Sequence, residues 1–251
     1  MTVPRFYNPA PMVSGQVVSL EGDNIHYAQR VLRMRQGDPL ELIDGLGFEY
    51  RAVIRAIGMQ GVSIEILEKT PVQEPPIRLT LAQSLLKAGK LDFIVQRSVE
   101  LGVNSFIPFV SSRSIVRLSP DAVYQRVERW RKIASEAARQ CGRTTIPVIE
   151  PVISFRDMLA RPREGALKVI FWEAEAERTI RRIFHDADHP CADHFFFVVG
   201  PEGGFSGEEV CEAREAGFLS ASIGERVLKV ETAVMSILTI LQYERGIFSR
   251  K

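Results

Sequence analysis

The sequence has 251 residues, of which 45% are hydrophobic and 25% are charged, a balance typical of a globular protein with a true core. The formal net charge is only +1, so the chain as a whole lacks the strongly basic character of many nucleic-acid-binding proteins. The three cysteines, Cys141, Cys191 and Cys211, are odd in number and widely spaced, which argues against a disulfide framework and favours a reducing compartment.

Neither a signal peptide nor a membrane span is predicted. The amino-terminal residues lack the apolar stretch of a signal peptide, and no apolar run reaches the ~20 residues of a membrane helix. The last apolar stretch, residues 234–241, is interrupted by Ser236 and Thr239 and fits a buried helix. We therefore expect a cytoplasmic protein with no membrane partner.

The first 70 residues alternate short apolar segments with turns that contain glycine. Strands are predicted at residues 16–20, 40–43, 50–57 and 61–66. A short helix is expected to begin near Asp23 and to cover residues 26–32. So many short strands predict a small β-barrel. Three prolines within residues 70–76 predict an extended linker, so we divide the chain into domains 1–72 and 73–251.

The second part of the chain alternates strands and helices. Strands are predicted at residues 77–82, 106–110, 145–149, 168–172, 194–199 and 219–223. Helices are predicted over residues 91–101, from Ser119 to Gly142, from the capping box of Ser206 and Glu209 to Gly217, and from Glu231 onwards. This alternation predicts an α/β fold with a mostly parallel sheet covered on both faces.

The charge is unevenly distributed along the chain. Residues 77–143 carry 12 Lys/Arg against 5 Asp/Glu, whereas the flanking parts are slightly acidic. Such a segment suits a phosphate-facing surface. It equally fits two solvated helix faces, and the charge alone leaves both interpretations open.

Two loops follow predicted strands, at the edge where open parallel sheets bind ligands. The first, residues 200–204, has three glycines in five positions, which lets a ligand approach bare backbone. Its spacing fits neither the GxGxxG pattern of dinucleotide-binding proteins nor a phosphate-binding loop that ends in GK[ST]. The second, residues 223–233, places two cations and two carboxylates at the start of the last helix. Taken singly, the first loop also fits a purely structural turn, and the second also fits a capped helix with surface charges.

Four motifs occur in order: VQRSVELGV at residues 95–103, QCGR at 140–143 with Pro147, VGPEGGFS at 199–206 with Glu209, and GERVLKVETA at 224–233. With Arg5, Phe6, His26, residues 31–33, Gly37 and Asp38, they resemble the SPOUT class of RNA methyltransferases, specifically the RsmE-type 16S ribosomal RNA uridine-N3 methyltransferases. The resemblance spans nearly the whole chain. Two positions depart from the pattern, because Arg97 and Lys229 stand where the family usually has Lys and Arg.

The resemblance implies a PUA-like β-barrel followed by a trefoil-knotted α/β domain, in which the two loops form the knot and bind S-adenosylmethionine. It also implies a homodimer with its active site at the subunit interface, to which the helix after Glu231 contributes. The glycines are expected to keep free the space that the cofactor needs. The residues assigned to the cofactor are Phe171, Trp172, Glu173, Val199, Gly200, Pro201, Gly203, Gly204, Ile223, Gly224, Val227, Leu228, Val230, Thr232 and Ala233.

Methylation of uridine N3 needs a base that removes its proton, or a cation that stabilises the uridine anion. Glu202 and Glu231 are the candidate bases. Each also has a structural interpretation, in which Glu202 holds its loop in place and the negative charge of Glu231 stabilises the N-terminus of the helix. The candidate cations are Arg226 and Lys229, together with either Arg139 or Arg143 from the second subunit. Because N3 lies on the pairing edge of uracil, the target base has to be unpaired. The predicted RNA contacts are Arg5, His26, Arg30, Arg33, Arg97, Arg113 and Arg139.

Other interpretations stay open at this point. A SPOUT methyltransferase for another RNA base and a non-catalytic ribosome assembly factor both fit the barrel and the basic segment. A nucleotide hydrolase is disfavoured because the phosphate-binding lysine motif is missing. Several potential metal ligands cluster near the carboxyl-terminal third, but their spacing matches no standard zinc motif, so no metal is predicted. These residues are His185, Asp188, His189, Cys191 and His194.

Overall fold

The computed structural model describes residues 3–58, 61–87, 89–114, 119–161, 165–185 and 193–247. By its internal contacts the chain divides into two compact units, residues 1–74 with 135–146, and residues 75–134 with 147–251. No feature of the composition of residues 135–146 signals that they belong with the amino-terminal unit. The division into domains 1–72 and 73–251 stays a proposal drawn from the proline-rich segment.

The first unit is built on a five-stranded sheet with the order β1-β3-β4-β5-β2. Strand β1 pairs with β3 in parallel, and the other pairs are antiparallel. The four strands predicted for this region are present, and β1, which was not predicted, is too short to show a repeating pattern. The strands are β1 (Arg5–Tyr7), β2 (Val17–Ser19), β3 (Pro39–Ile43), β4 (Phe48–Gly58) and β5 (Gly61–Pro71).

Strand β5 continues to Pro71, so the prediction of an extended linker over residues 70–76 is wrong at its start. Pro71 pairs with Phe48, and Thr70 pairs with Glu49. The proline is tolerated because it is the last residue of the strand, where its missing N–H interrupts no interior bond of the ladder.

The short helix predicted after Asp23 forms as α1 (Asp23–His26) and continues as a π-helical turn over Tyr27–Val31. Tyr27 packs edge-on against Phe6 of β1, with 6.0 Å between the ring centroids. Helix and sheet together enclose a separate apolar core. Its buried members are Phe6, Met12, Leu20, Ala28, Met34, Leu40, Leu42, Tyr50, Ala52, Ile54, Val62, Ile64 and Ile66.

Glu74 ties residues 135–146 to the rest of the first unit. Arg143 donates to its carboxylate at 2.7 Å, and Thr145 donates both its amide and its hydroxyl. Burial raises the pKa of the Glu74 carboxyl, but these hydrogen bonds outweigh burial and hold that pKa below its usual value. Residues 144–146 form hydrogen bonds with Gly45, Gly47 and Glu74 of this unit. The strand predicted at 145–149 is therefore shorter than expected and spans only Val148–Ile149.

The second unit contains a seven-stranded sheet with the order β12-β10-β11-β6-β7-β8, in which β9 also pairs with β7. Every pair is parallel, as the alternation of strands and helices predicted. The strands are β6 (Arg78–Ser84), β7 (Ser105–Val110), β8 (Val148–Ile149), β9 (Ile153–Ser154), β10 (Ala166–Phe171), β11 (His194–Val199) and β12 (Leu219–Ala221).

Strand β11 is buried on both faces, as its continuous apolar sequence predicted. Phe196 and Val198 belong to a core cluster that also contains residues of two helices, α4 (Phe155–Leu159) and α6 (Gly207–Glu215). Phe195 and Phe197 point the other way, because successive side chains of a strand face opposite sides. Phe197 packs edge-on against Phe171 at the end of β10, with 5.3 Å between ring centroids.

The remaining helices are α2 (Lys90–Glu100), α3 (Pro120–Cys141), α5 (Ile180–His185) and α7 (Val230–Glu244). The capping box predicted for α6 is present, with Ser206 and Glu209 bonded to each other's backbone amides. Helices α4 and α5 were not predicted, because five or six residues are too few to show a helical repeat. Among the described residues, no helix is both long and apolar enough to cross a membrane.

Candidate functional site

An open cavity lies beyond the carboxyl ends of β10, β11 and β12, the sheet edge where parallel folds place their ligands. Its empty volume is about 830 Å³, part of it open to solvent. The residues that line it are Phe171, Trp172, Glu173, Val199, Gly200, Pro201, Glu202, Gly203, Gly204, Phe205, Ile223, Gly224, Arg226, Val227, Leu228, Val230 and Ala233.

The two loops singled out in the sequence meet at this cavity. All the residues assigned to the cofactor line it except Thr232, whose side chain is exposed in the first turn of α7. The structure also places Glu202, Phe205 and Arg226 in the lining. The sequence analysis did not assign Phe205 to the site, although it directly follows the glycine loop, because an isolated aromatic residue before a helix cap is usually part of the hydrophobic core.

The glycines of the first loop lie close to other parts of the protein. Gly204 has a φ of +67°, and a Cβ there would collide with the Glu173 carboxylate, whose Cδ would lie 2.7 Å away. At Gly200 a Cβ would lie 3.1 Å from the ring of Phe205, and at Gly203 it would contact Arg113 at an ordinary 3.5 Å. These contacts with the protein are a second reason for glycine in this loop, and the expectation that the glycines keep free the space of the cofactor stays a prediction.

Two side chains anchor the first loop to the segment after β7. The buried carboxylate of Glu209 accepts the amide of Ser206 at 3.0 Å and that of Ser112 at 2.8 Å. Arg113, predicted as an RNA contact, donates from Nη1 to the carbonyl oxygen of Gly203 at 2.9 Å. The loop is therefore held by a carboxylate on one side and a guanidinium on the other.

Gln83 is a supporting residue that sequence reasoning missed. It is fully buried at the end of β6, and its Nε2 donates to the carbonyl oxygen of Gly200 at 3.0 Å. Its Oε1 has no hydrogen-bond partner among the described residues. The one available signal was an amide side chain directly after the strand predicted at residues 77–82, since buried amides are normally hydrogen-bonded.

Glu202, the first candidate base, is already engaged with donors. Its Oε1 accepts from Nζ of Lys90 at 3.1 Å and from the amide of Lys87 at 3.4 Å. Burial raises the pKa of the Glu202 carboxyl, but hydrogen bonds from its own amide and from Lys90 outweigh burial and lower that pKa. A lowered pKa makes Glu202 a weak proton acceptor at neutral pH.

Glu231, the second candidate base, lies in the first turn of α7. Its Oε1 is 3.6 Å from the Lys90 ammonium, and its Oε2 is buried without a hydrogen-bond partner among the described residues. The candidate cations Arg226 and Lys229 are exposed, and within the described part of the chain no carboxylate pairs with either. Arg143, by contrast, lies in the first unit beside Glu74 and is not a lining residue.

The predicted RNA contacts fall into two groups. Arg5, Arg97 and Arg139 form ion pairs with Glu41, Glu100 and Glu136, respectively. His26, Arg30 and Arg33 are exposed in the first unit, and no acidic partner is found for them in the described ranges. Arg30 and Arg33 therefore present cations that are free for phosphate, and His26 presents an exposed imidazole ring.

No cluster of potential metal ligands occurs among the residues that the structure describes. Of the group considered from the sequence, Asp188, His189 and Cys191 lie outside the described residues. His185 is 3.5 Å from Glu244, and His194 lies 3.2 Å from the hydroxyl of Thr80.

The chemistry of the cavity fits a nucleoside that carries a positive charge. Val199, Ile223 and Leu228 provide apolar walls suited to an adenine ring. Glu173 contributes a carboxylate that pairs with no cation within the described residues. A sulfonium and an ammonium are the groups such a carboxylate favours.

Comparison with known sequences identifies the family. Residues 73–242 match the family described as RNA methyltransferase domain, and residues 20–67 match RNA methyltransferase PUA domain. The chain is 32% identical to the ribosomal RNA small subunit methyltransferase E of Bacillus subtilis (strain 168), over 90% of each chain. The chain belongs to the RsmE family. Its fold is accordingly α/β, with a PUA-like amino-terminal sheet and a parallel-sheet SPOUT methyltransferase domain.

Solved RsmE-like structures agree with this assignment. The ribosomal RNA small subunit methyltransferase E of Neisseria gonorrhoeae, bound to S-adenosylmethionine, is 35% identical with a TM-score of 0.86, covering 96% of this chain and 98% of that one. A methyltransferase from Legionella pneumophila in complex with the same cofactor is 31% identical with a TM-score of 0.88, covering 97% and 98%. Relatives of nearly equal length therefore bind S-adenosylmethionine.

Proposed function

We propose that this chain transfers the methyl group of S-adenosylmethionine to N3 of a uridine in 16S ribosomal RNA of the small ribosomal subunit. The observation that carries the proposal is the cavity beyond β10, β11 and β12, which both motif loops line. The RsmE relatives, matched over nearly the whole chain, support the cofactor and the RNA class. Because this substrate belongs to the ribosome, we also propose a cytoplasmic location.

In this proposal the apolar walls and the loop backbone hold the cofactor, which supplies a methyl group on a positively charged sulfur. Val199, Ile223 and Leu228 would hold the adenosine through apolar contact, and the Glu173 carboxylate would favour the positively charged part of the cofactor. Gln83, Arg113 and Glu209 fix the first loop, so the cavity is formed before the cofactor arrives. A preformed site spends little binding energy on ordering loops.

Uridine N3 carries a hydrogen, so its proton has to leave as the nitrogen forms its new bond to carbon. We assign Arg226 to stabilise the negative charge that develops on the uracil oxygens, because it lines the cavity and pairs with no carboxylate in the described chain. Of the two candidate bases we assign Glu231 to accept the proton, because the lowered pKa of Glu202 makes that carboxylate a weak acceptor. Lys229 and the partner-supplied Arg143 complete the proposed cationic surroundings.

Two further parts of the proposal concern partners. The exposed residues His26, Arg30 and Arg33 are assigned to RNA phosphates. The same role is assigned to Arg5, Arg97 and Arg139 through the donors that their ion pairs leave free, and to Arg113 through the donors that its bond to Gly203 leaves free. A homodimer is supported by apolar side chains next to and on α7, since Val227 is 80% exposed and Tyr243 is 73% exposed.

The trefoil knot of the second domain also remains part of the proposal.

The direct test is methylation of small-subunit RNA from cells that lack this activity. Purified protein and S-adenosylmethionine are incubated with free 16S RNA or with assembled 30S subunits, and the digested nucleosides are analysed by mass spectrometry. We expect N3-methyluridine, formed once per RNA. A different methylated nucleoside would indicate another RNA target for the same cofactor site, and cofactor binding without any methylated product would support a non-catalytic assembly factor.

The assignment of Arg30 and Arg33 to RNA phosphates predicts a salt effect. The Arg30→Gln/Arg33→Gln double variant should bind 16S RNA less tightly, and the slope of log affinity against log salt should fall by about one for each lost contact. Arg51→Gln is the matched control, because Arg51 is an exposed arginine of the same unit that pairs with Glu68. Equal slopes for both variants and the unaltered protein would contradict the assignment.

A further inference from the structure

Lys90 lies where the two cavity loops come together. It is the first residue of α2 and follows Gly89, whose φ is +75°. Its Nζ lies 3.1 Å from Oε1 of Glu202 in the first loop and 3.6 Å from Oε1 of Glu231 at the start of α7. One ammonium therefore pairs with a carboxylate from each loop.

The two carboxylates depend on Lys90 to different degrees. Glu202 keeps other donors, since the amide of Lys87 reaches its Oε1 at 3.4 Å. Glu231 has Lys90 as its cation, and its Oε2 is buried with no hydrogen-bond partner within the described chain. Partial burial of this carboxylate costs free energy, which the Lys90 ammonium offsets together with the start of α7, where Glu231 lies.

The other charged groups around this cluster do not replace Lys90. Arg113 is directed to the carbonyl oxygen of Gly203. Lys87 contributes its backbone amide, and Arg226 and Lys229 pair with no carboxylate in the described ranges. Removal of the Lys90 ammonium would therefore leave two negative charges, one on each loop, with no cation between them.

We infer that Lys90 is a positioning residue that clamps the glycine loop to the start of α7 and so keeps the two loops of the cofactor cavity together. This inference rests on the proposed function, because it takes the cavity to be the S-adenosylmethionine site. It adds a residue from a third segment of the chain, outside both loops.

Lys90→Met removes the charge while keeping a long apolar side chain. We expect binding of S-adenosylmethionine, measured by calorimetry at about pH 8, to weaken by about tenfold, a typical coupling for charges that share one network. Lys90→Arg should retain most of the affinity, because it keeps the charge. Lys87→Met is the matched control and should bind normally, since only the backbone of Lys87 contacts Glu202.

The pH dependence separates a clamp from a loss of packing. In the unaltered protein, Lys90 helps to keep the pKa of Glu202 low, so Glu202 stays ionised between about pH 5 and 8 and affinity changes little. In Lys90→Met the pKa of Glu202 rises, so the repulsion between the two carboxylates is present above that raised pKa and is lost as pH falls through it. Affinity should therefore recover towards pH 5, and Lys90→Met/Glu202→Gln should recover it at pH 8.

Normal affinity of Lys90→Met at every pH would overturn the inference, as would a loss that neither acid nor Glu202→Gln restores. Circular dichroism melting of each variant confirms that the fold is kept. If the unaltered protein itself failed to bind S-adenosylmethionine, the proposed function would fall instead, so the two failures are distinguishable.

Discussion

Replacement of Gly204 by alanine is expected to weaken binding of S-adenosylmethionine by about tenfold. The backbone at Gly204 has a φ of +67°, which costs a non-glycine residue roughly 1–2 kcal/mol. The new Cβ would also displace the Glu173 carboxylate from the wall of the cavity. Both effects move the loop or its neighbour away from the arrangement that lines the site, and titration calorimetry measures the loss.

Gly207→Ala is the control for this prediction. Gly207 is three residues away, begins helix α6, and has no heavy atom within 4 Å of the position that a Cβ would take. Alanine is favoured over glycine in a helix by up to about 1 kcal/mol, so cofactor affinity should stay normal and the melting temperature should not fall. Normal affinity in Gly204→Ala as well would show that the glycine loop does not form the cofactor wall.

Glu209→Ala is expected to lower the free energy of unfolding by about 2–4 kcal/mol, because it removes a helix cap and leaves two amides without an acceptor. Those amides belong to Ser206 and Ser112, and the carboxylate that joins them is only 6% exposed. Since the same carboxylate anchors the end of the glycine loop, cofactor affinity should fall too. Urea unfolding followed by circular dichroism gives the first quantity and calorimetry the second.

Glu215→Ala tests whether this effect is specific. Glu215 is exposed and ends the same helix, where a negative charge gains nothing from the helix dipole. Its replacement should change stability by less than about 0.5 kcal/mol. A Glu209→Ala variant as stable as Glu215→Ala would mean that the contact between the start of α6 and the segment after β7 contributes nothing to the stability of the fold.

Local signals in the sequence predicted much of the α/β unit. The capping box of Ser206 and Glu209 begins α6 as expected, and the apolar residues 195–199 form a strand buried on both faces. Such features are set by residues within one helical turn or one strand, so neighbouring positions suffice to read them. The short helices α4 and α5 were missed for the same reason, since they contain too few residues for a pattern.

The sequence by itself determined the class of fold, the family and the two loops of the cavity, because each depends on residues that are adjacent in the chain. Only the tertiary structure showed that Lys90 joins Glu202 to Glu231, that Gln83 bonds Gly200, and that Gly204 is next to Glu173. It also showed that Glu74 and Arg143 pair across the chain and that β5 runs on to Pro71. These contacts join residues far apart in sequence, whose approach is fixed by strand order and packing rather than by local pattern.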